Sequence, residues 1–137
     1  MWWSYALGAA VFGALTTVFA KLGVRDVSAN VATAVRTNVI GVTAWGIVIG
    51  AGEVRSVTTL SNRTTLFLIL SGVSTGASWV CFFHALQRGP ASLVSAVDKL
   101  SLALTIGLAA LFLGEALTVN TVIGAGLIVL GTVILIR

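Results

Sequence analysis

The stretch Ala91–Leu113 reads ASLVSAVDKLSLALTIGLAALFL, with Asp98 and Lys99 side by side as its only charges. Its apolar residues run continuously, without the period-two alternation of a half-buried strand, so it reads as a helix apolar on nearly every face. At 1.5 Å per residue, about 20 such residues cross the roughly 30 Å hydrocarbon core of a bilayer. Four more stretches of that kind follow the same rule: Trp2 to Ala20, Asn30 to Gly50, Leu66 to Leu86, and Leu117 to Ile136. Between them lie the short polar breaks KLGVRDVS, AGEVRSVTTLSNRTT, QRGP and GEA. Pro90 follows Gly89 and opens the fourth helix at a position proline tolerates. The expected fold is an all-α membrane protein, a five-helix bundle forming one domain over residues 1–137.

Composition leads to the same solvent. Hydrophobic residues make up 58% of the chain and charged residues 9%, where soluble domains carry about 25% charged residues. A chain of 137 residues cannot hide that much apolar surface in one core, and a bilayer removes the need to. The net charge of +4 comes from eight scattered basic residues, a pattern that excludes a nucleic-acid surface. Cys81 is the single cysteine, so neither an internal disulfide nor a multi-cysteine metal site is expected. The opening MWWSYALGAA lacks a basic stretch before its apolar run, which is expected to remain as a span.

Lys21, Arg25, Arg88 and Arg137 gather on one side of this topology, and Arg55 and Arg63 on the other. The positive-inside rule then places the C-terminus in the cytoplasm. A bias of four against two is small enough that insertion in both orientations is an open alternative. Small residues spaced by four, Gly46 with Gly50, Gly72 with Gly76 and Ala9 with Gly13, offer faces for close helix approach and for an oligomer.

Charge inside a span is costly, about 2.5–3.5 kcal/mol at its centre, and is kept where it has a partner or a task. Asp98 and Lys99 are two such residues and Arg36 is a third; if all ionise they sum to +1, which favours a substrate with a carboxylate. Ser95, Ser101 and Thr105 share the Asp98 face of the fourth helix. Arg36 and Asp98 lie at similar depth, roughly 9–11 Å into helices that enter from the same side. An ion pair between them is one expectation. Snorkelling of Lys99 and Arg36 to the headgroups is the structural alternative. The third span carries Ser71, Ser74, Thr75, Ser78 and Cys81 on one face, with Gly72, Gly76, Trp79 and Phe83 beside it. Those hydroxyls either bridge helices or wet a cavity that Trp79 would wall. His84, near the end of its helix, reads as an interfacial hydrogen bonder or a proton relay. No catalytic constellation, metal motif or phosphate loop is present in the sequence, so no enzyme activity and no cofactor are expected.

The C-terminal part carries GPAS at the start of the fourth helix, LFLGEALT at its end and IGAGLIVLG in the fifth. In these motifs the chain resembles the EamA domain of the drug/metabolite transporter superfamily, with Glu115 on the family's glutamate in the LGE turn. Most relatives join two such domains with inverted symmetry. The chain is similar to the short single-domain members, which have IDKLS and AIRT where it has VDKLS and AVRT. Two-domain members often place proline near Lys99 or Leu100; here the charged pair occupies the spot instead.

The resemblance implies alternating-access transport of small organic molecules, often export of amino-acid-like metabolites, in a prokaryotic cytoplasmic membrane. A half-sized chain then needs a partner, most simply a second copy, parallel or antiparallel. Asp98, Lys99, Arg36, Ser95, Ser101, Ser78, Trp79 and His84 are the candidate substrate and coupling residues. Two other readings stand beside this one: a proton-coupled small multidrug-type exporter, though the first span has no acid, and a non-transporting membrane subunit of a larger assembly.

Overall fold

A computed structural model describes residues 2–24 and 26–137. Arg25, one of the residues in the charge bias, lies outside the described residues. Helices account for every regular element in these ranges: α1 (Trp2–Gly23), α2 (Ala29–Gly50), the short α3 (Val54–Thr58), α4 (Asn62–Arg88), α5 (Ala91–Asp98), α6 (Leu100–Leu108) and α7 (Val119–Ile136). With α5 and α6 counted as one span, five are long and apolar enough to cross a membrane.

Hydroxyl caps set where several of them begin. Ser28 accepts the Val31 N–H ahead of α2, Ser61 accepts the Thr64 N–H ahead of α4, and Thr118 accepts the Thr121 N–H ahead of α7. Each satisfies one of the backbone donors that a helix start leaves unpaired. With Ser61 as its cap, α4 starts at Asn62 rather than at the first strongly apolar residue, Leu66, and runs for 27 residues. That is about 40 Å, longer than the hydrocarbon core. Pro90 is the residue before α5, in extended geometry with φ −61° and ψ 138°.

The chain divides into two compact units. One contains residues 19–87. Its core is small: Val24, Ala29, Phe83 and Leu86 are buried, at the close of α1, the start of α2 and the end of α4. Polar ties hold this end. The Lys21 ammonium donates to the Leu86 carbonyl, and Gln87 Nε2 donates to the Val27 carbonyl at 2.7 Å. Lys21 thus serves a carbonyl in the last turn of α4, where a cation is favoured.

The other unit holds residues 2–18 and 88–137, in which α7 packs along α5 and α6. The fourth span is not a uniform helix here. At Lys99 the N–H lies 3.3 Å from the Ser95 carbonyl and 3.2 Å from that of Ala96, and the Leu102 N–H reaches back to the Lys99 carbonyl at 3.0 Å. This is a tightened turn of the kind that marks hinges. No proline causes it. The hydroxyl of buried Thr132 on α7 lies 2.9 Å from the Ile128 carbonyl of its own helix and 3.2 Å from the Ala96 carbonyl, so its one proton is shared between the two acceptors. A side chain entering the backbone ladder in this way bends a helix. Further along, Ala109–Leu113 widens to a π turn. It stops at Gly114, whose φ of 67° is left-handed, a stop that glycine makes without strain. The glycine of the LGE motif is therefore the helix terminator.

Candidate functional site

Arg36 sits on α2, seven residues after its first residue, or about 10 Å along the helix. It does not snorkel free. Its Cζ lies 3.1 Å from the centroid of the Trp79 ring on α4. An arginine pressed on an indole face is the strongest form of cation–π contact, worth about 2 kcal/mol where water is excluded. Trp79 is itself braced. Phe82 meets it edge-on at 5.2 Å and 68°, and Phe83, buried in the core of this unit, lies 5.8 Å away at 49°. Arg36 Nη1 is shielded from solvent and has no hydrogen-bond partner. Leaving a charged donor in that condition costs free energy, since its hydration is lost without a replacement bond.

In the other unit, Asp98 Oδ2 lies 3.7 Å from Lys99 Nζ, with 41% and 67% of the two side chains exposed. So accessible a pair is held loosely. Its position matters more than its strength, since it lies at the tightened turn between α5 and α6. Asp98 ends one helix segment and Lys99 precedes the next. Ser95 is half-buried one turn earlier and Ser101 is exposed.

Two hydroxyls of the third span, and Thr105 of the fourth, bond within their own helices. Ser74 donates to the Leu70 carbonyl, Thr75 to that of Ser71 and Thr105 to that of Ser101, at 2.8–2.9 Å. Each bonds back into its own helix, so it can face lipid without an unpaired donor. Ser78 is exposed and His84 half-buried on α4. Of the residues singled out in sequence, Arg36 and Trp79 are brought into contact in one unit, and Asp98, Lys99 and Ser95 lie together in the other.

Phe82 and the Ser28, Ser61 and Thr118 caps were not singled out. The caps were legible as Ser or Thr just before apolar runs. Phe82 was legible too, three residues after Trp79 on one helix, the spacing at which side chains meet.

Five membrane-length helices describe an integral multi-pass membrane protein. The chain matches the EamA-like transporter family over residues 1–137, and it belongs to that family. It is 42% identical over 98% of its length to a protein of a Sinorhizobium species named "uncharacterized transporter in cobO 3'region", covering 95% of that protein. An uncharacterized protein of Methanocaldococcus jannaschii is 28% identical over 72% of this chain and 70% of its own. No solved structure matches. The protein is a membrane transporter.

Proposed function

We propose that this transporter carries small organic metabolites of amino-acid-like type out of a prokaryotic cell, across the cytoplasmic membrane, by alternating access. It works as a homodimer and catalyses no covalent chemistry. The observation that carries the reading is the Arg36–Trp79 contact within the membrane-length helices α2 and α4. A cation held on an aromatic wall inside a span, with one nitrogen shielded and unpaired, is costly in lipid and marks a functional position.

The hinge-like turn at Lys99 supports the alternating part. Interrupted helices are where transporters of inverted-repeat design place their working charges. Asp98 and Lys99 occupy that turn, and they are the groups assigned to coupling or to gating.

The homodimer follows from coverage. Leu104, Leu111, Phe112, Val119 and Leu127 are among many large apolar side chains left open, and no spanning helix has more than two buried residues. Lipid covers part of this surface. A second copy covers the part that must enclose a solute path.

The test is flux. Purified protein in liposomes loaded with a mixture of labelled amino acids and organic acids should release at least one faster than empty liposomes do. Release equal to the empty control across the mixture would remove the reading.

A further inference from the structure

We infer that Arg36 and Trp79 form a binding site for the carboxylate group of a small organic solute, read in the plane of the guanidinium. The inference rests on the transporter reading and names the chemical class of what that reading leaves open.

Stacking uses the face of the guanidinium. Its five N–H groups point outward in the plane, and cation–π contact satisfies none of them. At Arg36 the Nη1 end of that plane is shielded from water and lacks a hydrogen-bond partner. Two parallel N–H groups at the edge of a planar cation match the two oxygens of a carboxylate, as they do not match a single carbonyl or a cation.

The unit of residues 19–87 supplies no acid for the purpose. Its carboxylates are Asp26 and Glu53. Asp26 precedes α2, and Glu53 follows its far end, roughly 25 Å along the helix from Arg36. A lipid phosphate fits less well, because Arg36 is held about 10 Å inside the span by Trp79 instead of extending toward the headgroups. Phe82 and Phe83 keep the indole in place, so the guanidinium is presented in one orientation before any ligand arrives. Such preorganisation favours affinity for a flat anion.

The experiment uses the full chain in phosphatidylcholine nanodiscs, with Trp2, Trp3 and Trp45 changed to Phe so that Trp79 alone reports. Acetate, hexanoate and benzoate are titrated, each against its neutral amide. At least one acid should give a saturable change in Trp79 emission that its amide does not. Arg36→Gln should abolish that response, and Arg36→Lys, which keeps the charge but loses the fork, should weaken it about 10-fold. The Lys variant and the acid–amide comparison keep the test decisive if the Gln variant does not fold.

Four results would overturn the site: acids and amides acting alike, a Gln variant that responds like the parent, acid binding that appears only after Asp98→Asn, and loss of the acid response when phosphatidylglycerol is added. The third would assign Arg36 to Asp98, and the fourth to a lipid phosphate. Liposome flux is read separately. Acid binding without flux keeps this site and removes the transporter mechanism; flux with every acid silent on Trp79 keeps transport and removes the site.

Discussion

At the scale of single residues, charge inside lipid is decided by contacts rather than by count. Within one unit the indole of Trp79 holds Arg36, and within the other the Lys99 ammonium stands beside Asp98. Asp98→Asn keeps shape and hydrogen-bonding capacity while removing charge and titration. On the proposed role it should cut flux by at least 10-fold, on the order of one general charge interaction, with helix content by circular dichroism unchanged. Parental flux in the variant would make the pair at the turn a packing device. Thr132→Val is the structural counterpart. It removes the hydroxyl that reaches the Ala96 carbonyl from α7, and interhelical bonds of this kind average about 0.6 kcal/mol in membrane proteins. A small drop in thermal midpoint in detergent is expected. A larger functional than thermal loss would tie the Lys99 turn to the transport cycle.

At the scale of elements, the spans were legible because hydropathy is summed over a window and needs no knowledge of neighbours. Their ends were less so. Apolar onset put the start of the third span at Leu66, whereas the Ser61 cap starts α4 at Asn62. Capping chemistry overrides hydropathy at a boundary, since four unpaired N–H groups need acceptors wherever the helix begins. The break in the fourth span was not legible at all. Without proline the run predicts a continuous helix, whereas at the tightened turn a hydroxyl on α7, a residue remote in sequence, lies within reach of the Ala96 carbonyl. Gly114 supplies a prediction at this scale. A Cβ added there meets nothing within 4 Å, but φ is +67°. Gly114→Ala should therefore cost about 1 kcal/mol of backbone strain alone, read as a modest thermal shift. A neutral effect would mean the π turn re-forms one residue along.

At the scale of the whole molecule, the proposal requires at least two chains. Crosslinking and native mass spectrometry in mild detergent should show dimers; monomer alone at high protein concentration would count against it. Orientation follows from the four-to-two charge bias. Reporter fusions after Arg137 should be active mainly on the cytoplasmic side, with a minority inverted if the dimer is antiparallel. The bias cannot be tested cleanly at Lys21, because its ammonium also ties α1 to the end of α4, so removing it changes packing along with charge. Arg137 is exposed at the terminus and is the better lever. Arg137→Ala should enlarge the inverted share, and an unchanged distribution would mean that other features set the topology.

The sequence by itself determined the solvent, the number of spans, the absence of strands among them and the resemblance that the family match over residues 1–137 made firm. These are properties of local composition or of motif. Tertiary structure alone decided that Arg36 stacks on Trp79, that Lys21 caps α4 and that Thr132 reaches Ala96. Each depends on how one helix is rotated against another. In a soluble protein an apolar stripe announces that rotation, but in lipid every face of a span is apolar and the interface carries no such mark. The charges are visible in the sequence; what they touch is set by packing.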